Sequence, residues 1–370
     1  MFEFRHNQPV EGAKPSSSDR EGRSTPSQAL EVRGPFHYLS VSGDPQHQGE
    51  AYGTALRRQI GETFELYSTL FGLAPRQLIE RGARVLERID QFSLSIGAVV
   101  RGVASGSGLL PEEVAALNAR TELFHEAQQN QKECTAVYLP NSSVLGQNWD
   151  WAKRLDPLMF LLRVEGEKGH SFVTLTEPGI VGKIGMNSAG IGVCLNILPG
   201  EGECDGVPVH VLLRAVLEST SLEEAREKIL NARHGTASSV LVGNDKGEGF
   251  CAEIFGSEVR FQDVRGEPLI RTNHFQEFQV PISEFFDDSL PRFNRARFLL
   301  ERDGKPAIAR LEGLLADQDD PDAVICSPFE ELGNSLGEVG TLATLVMDLK
   351  NRILRIRRTL SSENFTEIQL

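Results

Sequence analysis

Cys134 stands where a polar, charged segment of the chain changes into a strand-like one. The run QNQKE (129–133) precedes it, TAVYL (135–139) follows it, and a second apolar stretch ends in the triplet WDW (149–151). A thiol becomes a nucleophile when a base removes its proton, a polar group orients that base and donors stabilise the oxyanion. The pattern leaves two interpretations of Cys134, a catalytic nucleophile or an ordinary small buried strand residue.

Two groups could serve as the base. One is His274, which follows Asn273, although no CGxCW-type sequence surrounds Cys134 as it does in papain-like proteases. The other is the α-amino group of Cys134 itself, with an ordinary pKa of about 8, which cleavage of the Glu133–Cys134 bond would free. An exposed linker suits a scissile bond, and a strand directly after it anchors the new terminus. The position of the cysteine therefore favours self-cleavage.

The segments around this cysteine fall into three parts. Residues 1–34 are rich in Ser, Pro, Gly, Arg and Glu without apolar periodicity, which predicts a disordered tail. Helical spacing of apolar residues then predicts helices over 49–71, 75–105 and 111–128. After Cys134 the period changes to about two, which predicts strands with four interspersed helices. We therefore expect an α+β body in which helices pack on mainly antiparallel sheets.

The boundaries predicted after Cys134 follow the same two periods. The strands are expected at 135–139, 144–149, 159–164, 172–176, 181–186, 192–197, 238–242, 249–255, 258–263, 269–272, 341–348 and 352–358, and the helices at 207–218, 222–232, 291–301 and 306–316.

Composition and charge exclude several classes of function. The 370 residues carry a formal charge of −14 and a sequence pI near 5.2, which disfavours nucleic acid as a partner. No apolar run is long enough to span a membrane, and the first residues do not resemble a secretion signal. The five cysteines are widely spaced and lack zinc-site spacing. We expect a cytoplasmic protein with free thiols, no metal and no cofactor.

Several segments, in order, resemble one family of self-processing enzymes. Besides Cys134-Thr135 they are LPN (139–141), GQNWD (146–150), EPGIVGK (177–183), GMNSAG (185–190), GVP (206–208), LESTS (217–221) and TNH (272–274), with NARTE (118–122) and GEAYG (49–53) upstream. The chain resembles the acyl-coenzyme A:6-aminopenicillanate acyltransferases over about residues 36–357. These are cysteine members of the N-terminal-nucleophile hydrolases.

This resemblance implies a fold and a division of the chain. The family fold is a four-layer αββα sandwich. Residues 35–133 would form a helical, propeptide-like α-chain segment, and residues 134–370 the β-chain segment that begins with the nucleophile, the two sharing one domain and remaining associated after cleavage.

The resemblance also implies the roles of single residues. Cys134 would carry the acyl group as a thioester, Asp150 would hold the Cys134 ammonium, and Asn273 would donate to the oxyanion, with Thr135 placing a hydroxyl beside the nucleophile. The substrate would be a small acyl-amide or an acyl-thioester such as acyl-coenzyme A. The reaction would be hydrolysis or acyl transfer.

Two positions depart from the family pattern. Glu133 stands where the family usually has glycine before the cysteine, and Ser327 stands in Ile325-Cys326-Ser327 where the family has arginine facing the aspartate. Arg214 and Arg271 are the candidate replacement partners of Asp150. The departures support an alternative function, an unprocessed and non-catalytic family member that acts as a binding protein.

Overall fold

Two β-sheets lie face to face through the middle of the molecule. The computed structural model describes residues 28–126, 134–166, 169–200, 206–281, 286–302, 304–333 and 335–370. The helices are α1 (Pro45–Ala55), α2 (Arg57–Phe71), α3 (Pro75–Phe92), α4 (Leu94–Ser107), α5 (Pro111–Asn118), α6 (Arg120–Glu126), α7 (Val209–Leu217), α8 (Leu222–Asn231), α9 (Ser289–Arg302) and α10 (Ala307–Leu315). The strands are β1 (Gln28–Arg33), β2 (Phe36–Ser42), β3 (Thr135–Leu139), β4 (Val144–Ala152), β5 (Phe160–Glu165), β6 (Ser171–Thr176), β7 (Ile184–Asn187), β8 (Ile191–Ile197), β9 (Ser238–Asn244), β10 (Gly249–Phe255), β11 (Glu258–Asp263), β12 (Leu269–Arg271), β13 (Glu330–Glu331), β14 (Glu338–Asp348), β15 (Ile353–Arg358) and β16 (Thr366–Gln369).

The first sheet has nine strands in the order β1-β2-β5-β6-β7-β8-β9-β10-β11, and the second has seven. The second runs β12-β3-β4-β14-β15-β16, with β13 paired to β14. Strands β3 and β4 pack against β8 of the other sheet, while α1, α7 and α8 cover the nine-stranded sheet and α9 and α10 the seven-stranded one. The predicted αββα sandwich is confirmed.

The strands β3 and β4 form a hairpin in the middle of the second sheet, and Cys134 directly precedes β3. Thr135 pairs with Asn148, and Pro140–Ser142 forms the turn. Every residue of β4 is buried, because β3 and β14 flank it, α10 covers one face and β8 the other. The nucleophile candidate thus lies at the start of β3, a buried strand that pairs with β12 on one side and with β4 on the other.

Four predictions about the region before Cys134 were wrong. Residues 28–33 form β1, which pairs with β2 at the edge of the sheet, so the predicted disordered tail extends too far. This strand is short, its side chains are mostly exposed, even those of Leu30 and Val32, and backbone pairing with β2 holds it. The helix expected over 49–71 is interrupted at the buried Leu56, and the one over 75–105 at Ser93, whose side chain caps α4 through the Ile96 amide. Strand β2 also lies within the segment predicted as helical.

Helix α4 is an apolar helix whose valines and Ile96 are buried. In the part of the chain that the structure describes, no single helix is long and apolar enough to cross a membrane. Helices α4 and α5 reach that length and composition only as a pair bent by 119°.

Glycines allow α1 and α4 to touch backbone to backbone. A Cβ added to Gly49 would overlap the Val99 carbonyl oxygen, and one added to Gly102 would overlap that of Gln46. Gly53 and Gly106 meet the other helix in the same way one turn later. The close crossing places α1 against the sheet.

We expect Gly49→Ala to destabilise the protein by at least about 2 kcal/mol, because overpacked interiors commonly cost about 1–3 kcal/mol and here the obstacle is rigid backbone. Alanine otherwise favours a helix over glycine by about 1 kcal/mol. Gly61→Ala in α2, where an added Cβ meets nothing within 4 Å, is the control and should be neutral or stabilising. Denaturant unfolding measures both, and equal effects would contradict the backbone contact.

Candidate active site

The carbonyl of Cys134 is held from two layers of the molecule. The residue is 4% exposed, and its oxygen accepts a hydrogen bond from Asn196 Nδ2 at 2.6 Å and one from Arg292 Nη1 at 3.2 Å. Asn196 belongs to β8 in the nine-stranded sheet, and Arg292 belongs to α9 on the far side of the other sheet. The backbone of the candidate nucleophile is thus fixed before any substrate arrives.

Alternation along β4 separates two sides of the site. Gln147, Trp149 and Trp151 line a cavity between the sheets, and Cys134 lines the same cavity. Asn148 faces the other way and donates to the carbonyls of Leu315 and Ile325. Asp150 has the same parity as Asn148, so the tryptophans lie on the opposite face from it, as the alternation predicts.

Asp150 is a buried carboxylate with one oxygen in use. Its Oδ1 accepts from Thr341 Oγ1 at 2.6 Å, and its Oδ2 finds no hydrogen-bond partner among the described residues. Burial raises the pKa of Asp150 to about 6, against the lowering effects of the Thr341 hydroxyl, the Arg292 charge and the nearby Ser327 side chain. The carboxylate is therefore a strong acceptor for one further donor.

Neither arginine proposed as the partner of Asp150 reaches it. Arg214 binds Glu218 at 2.6 Å and the Val181 carbonyl at 3.1 Å, beside the nine-stranded sheet. Arg271 donates to the Cys251 sulfur at 2.9 Å. Both suggestions were wrong because each side chain is already occupied by neighbours of its own.

Arg292 is the residue that sequence reasoning missed. Its guanidinium is fully buried and binds the Asp288 carboxylate at 2.9 and 3.0 Å, Thr135 Oγ1 at 3.0 Å and Asn273 Oδ1 at 2.8 Å, in addition to the Cys134 carbonyl. The sequence offered one weak signal, the i,i+4 pair of Asp288 and Arg292 at the start of α9, which is usually a solvated surface pair. Nothing in that pair indicates that the arginine points inward.

Arg292 also determines which way the Asn273 amide faces. A guanidinium has only donors, so the amide oxygen must point toward it and the NH₂ group away from it. That NH₂ group donates to the Ile197 carbonyl at 2.9 Å, and Ile197 lines the cavity of Cys134. One of its two N–H groups is used by Ile197, and the described residues offer no acceptor to the other.

The other predicted residues lie near this cluster with different partners. The Thr135 hydroxyl accepts from Arg292, and the Ser327 carbonyl accepts from the Thr341 amide at 2.9 Å. His274 Nδ1 lies 2.9 Å from the Ser289 hydroxyl and 3.1 Å from that of Thr272, and burial lowers its pKa. These partners give no support to His274 as the base of a thiol protease. Glu133 lies outside the described residues.

The opposite wall of the cavity is charged. Glu177 binds Lys183 at 2.9 Å and Arg120 at 3.0 Å, and the Tyr67 hydroxyl donates to it as well. Burial opposes ionisation of Glu177, but Arg120 and Lys183 together hold its pKa well below the usual range. The Tyr52 hydroxyl of α1 accepts from the Gly179 amide at 2.7 Å, so the close crossing of α1 and α4 supports the loop that carries this wall.

Sequence reasoning identified these charged residues only as parts of family-like segments.

Within the described ranges, no group of three or more His, Cys, Asp or Glu side chains could hold a metal ion.

Comparisons with known proteins identify a family and two curated relatives. The family model described as acyl-coenzyme A:6-aminopenicillanic acid acyl-transferase matches residues 137–360. The 40 kDa form of acyl-coenzyme A:6-aminopenicillanic-acid-acyltransferase from Emericella nidulans is 29% identical over 340 residues, which covers 86% of this chain and 92% of that protein. Protein dcd1A from Dictyostelium discoideum is 23% identical over 266 residues, or 60% of this chain and 59% of that protein.

Two solved structures are similar at a lower level. A variant of the conjugated bile acid hydrolase from Clostridium perfringens has a TM-score of 0.48 at 15% identity, over 64% of this chain and 92% of its own. Penicillin V acylase from Agrobacterium tumefaciens has a TM-score of 0.43 at 14% identity, over 64% and 86%. Both TM-scores are below 0.5, so the description of the fold is based on the two sheets of this chain and not on these structures.

The raised pKa of Asp150 predicts a pH-dependent stability. Between about pH 4 and about pH 6 the native state keeps a proton that the unfolded chain releases, so the carboxylate destabilises the fold fully above about pH 6 and not at all below about pH 4. In the uncut Cys134→Ala protein, where no α-amino group at Cys134 can pair with Asp150, we expect Asp150→Asn to raise the free energy of unfolding at pH 7.5 by on the order of 2–3 kcal/mol and to leave it unchanged at pH 4.

Thermal and denaturant unfolding at the two pH values measure this difference, with the exposed Glu223→Gln as the control. A loss of stability of equal size at both pH values would contradict the prediction.

Proposed function

The chain belongs to the acyl-coenzyme A:6-aminopenicillanic acid acyl-transferase family and is thus an enzyme of amide hydrolysis or acyl transfer, and we propose that it works through an acyl-thioester on Cys134 after cutting itself before that residue. The observation that carries the proposal is the set of bonds made by Arg292. One guanidinium binds the Cys134 carbonyl, the Thr135 hydroxyl and the Asn273 amide oxygen, and its charge acts on Asp150.

Self-processing begins with an attack by the Cys134 sulfur on the carbonyl carbon of Glu133. The carbon–nitrogen bond between the two residues breaks, the nitrogen takes a proton, and a thioester joins Glu133 to the sulfur. Water then hydrolyses the thioester, which releases Glu133 as a carboxylate and Cys134 as a free thiol with a free α-amino group. The amine has an ordinary pKa of about 8, so it can accept the thiol proton in each later turnover.

The unused oxygen of Asp150 supports a role in the cut enzyme. A buried acceptor without a donor costs free energy, and an ammonium group at the start of β3 would supply a charged donor. Asp150 would then orient the amine toward the sulfur. In the proposal the carboxylate holds the base in position and does not take the proton itself.

Asn273 is the proposed oxyanion donor. Its oxygen is held by Arg292, and its NH₂ group points to the side of the molecule where Ile197 lines the cavity. A preorganised amide donor stabilises the negative oxygen of the tetrahedral intermediate without adding a charge to the resting site.

Arg292 also offers a positive charge in place of the family arginine, which is replaced by Ser327 in this chain. The family arginine is missing there, but Arg292 supplies a positive charge to the Asp150 cluster from α9. This favours the enzyme over the alternative of a non-catalytic binding protein. The proposed substrate is a small acyl-amide or an acyl-thioester such as acyl-coenzyme A, and hydrolysis and transfer differ only in whether water or an amine accepts the acyl group.

The intact mass of the purified chain tests this function. We expect two fragments, residues 1–133 and 134–370, that stay together on gel filtration, because β2 before the cut pairs with β5 after it. Cys134→Ala should remain one chain, and Cys194→Ala, which removes another buried thiol, should be cut normally.

Acyl-amide and acyl-thioester donors with and without an added amine then separate hydrolysis from transfer. A wild-type chain that remains uncut, with no covalent acyl adduct at Cys134, would leave the binding-protein function as the better description.

Replacing Arg292 by lysine should slow self-cleavage and acyl transfer about 100-fold, because one ammonium cannot hold three partners in position and small misplacements cost this much. The effect should fall on kcat with little change in KM, since Arg292 positions residues and does not touch the substrate. Arg295→Lys in the same helix, where the arginine binds Asp317 at 2.8 Å, is the matched control. Equal rates in the two variants would show that Arg292 has only a structural role.

A further inference from the structure

Self-cleavage needs a base other than the α-amino group that is proposed to act in later turnovers. Before cleavage the nitrogen of Cys134 is part of a peptide bond, so it cannot accept the thiol proton. The uncut chain therefore needs another base close to the sulfur. This inference rests on the proposed function and concerns only its self-cleavage step.

Lys183 lines the cavity into which Cys134 faces. The cavity measures about 20 Å³, which is room for roughly one water molecule. Lys183 is 2% exposed, and its Nζ lies 3.2 Å from the centre of the Trp149 ring. Trp149 is the next residue after Asn148, the β4 partner of Thr135, so the ring lies beside Cys134 across the hairpin. The amine is thus confined to the immediate surroundings of the thiol.

The charge of Lys183 is only partly compensated. Its ion-pair partner, Glu177, also binds Arg120 through two guanidinium nitrogens and accepts from the Tyr67 hydroxyl. The buried His210 of α7 is a further neighbour, and burial lowers its pKa well below the usual range, so it stays neutral. A buried cation that shares its counter-ion lowers its free energy when it releases its proton or when a second anion comes close to it.

The protonation behaviour of Lys183 agrees with this geometry. Burial lowers the pKa of Lys183 to about 7, while Glu177 and a negative charge on Cys134 act in the opposite direction. The lowered pKa brings the free amine of Lys183 within reach near neutral pH. The same amine, once protonated, is stabilised by a thiolate at Cys134.

We propose that Lys183 is the base of the self-cleavage step. Its free amine takes the thiol proton of Cys134, directly or through the one water for which the cavity has room. The thiolate attacks the Glu133 carbonyl, and the Lys183 ammonium returns the proton to the nitrogen of Cys134 as the carbon–nitrogen bond breaks. Lys183 is thereby regenerated as the free amine. The α-amino group of Cys134, which the cleavage sets free, is the base in every later turnover.

The variant Lys183→Arg separates this role from a structural one. Arginine keeps the positive charge and can pair with Glu177, but it does not release its proton at accessible pH. We expect self-cleavage to be at least about 100-fold slower in this variant, since general-base catalysis contributes about 10²–10⁴-fold. In the wild type the cleavage rate should rise with pH through about 7, as Lys183 loses its proton, and this step should disappear in Lys183→Arg. Lys228→Arg in α8 is the matched control.

A second form of the protein isolates the later turnovers. Replacing residues 130–133 by a protease recognition sequence that is cut directly before Cys134 produces the mature terminus without self-cleavage. After this external cut, the defect of Lys183→Arg in acyl-donor turnover, relative to the wild type treated in the same way, should be much smaller than its defect in self-cleavage.

The outcomes distinguish the two proposals. A wild-type chain that does not cut itself would overturn the proposed function together with this inference. A wild type that cuts itself while Lys183→Arg does so at the same rate would overturn the inference alone. Lys183→Arg that is equally inactive after the external cut would also overturn it, because the lysine would then be needed in every turnover.

Discussion

The burial of the Arg292 guanidinium is the constraint on which the site depends. A charged group without contact with water must have its donors matched, and removing one partner of a buried ion pair commonly costs about 3–5 kcal/mol. Arg292 meets this demand with Asp288 of the α9 region, Cys134 and Thr135 at the start of β3, and Asn273 just after β12. The start of β3 and two segments much later in the chain are thereby fixed to one another. The arrangement of the proposed nucleophile and oxyanion donor follows from it.

Local pattern predicted much of the fold, because burial between flanking layers leaves a clear period in the sequence. The strands Thr135–Leu139, Gly249–Phe255 and Glu258–Asp263 have the predicted boundaries, and the layered sandwich was also anticipated. Strand β1 was missed because backbone pairing at a sheet edge needs no apolar side chains. The breaks at Leu56 and Ser93 were missed because helical spacing continues through them.

The site was harder to predict than the fold. Sequence order identified Cys134, Asp150 and Asn273 as candidates, but Arg292, which binds the first and the last of them, lies 158 positions from Cys134. Arg214 and Arg271 were plausible only while their own partners were unknown, since the sequence does not indicate which acid a buried arginine meets. Asn196 carried a usable signal, an amide within the apolar run Val193–Ile197, because a polar residue there must have a buried partner.

The parallel pairing of β2 with β5 has a consequence for the chain before Cys134. Six residues of β2, from His37 to Ser42, occupy the hydrogen-bonding edge of β5 in the nine-stranded sheet. Without them β5 would present a row of open amides and carbonyls flanked by buried apolar side chains, which is the geometry that recruits foreign strands into aggregates. The propeptide-like segment therefore covers the edge of β5 in this structure. Cutting the chain would convert one polypeptide into two that share a single sheet.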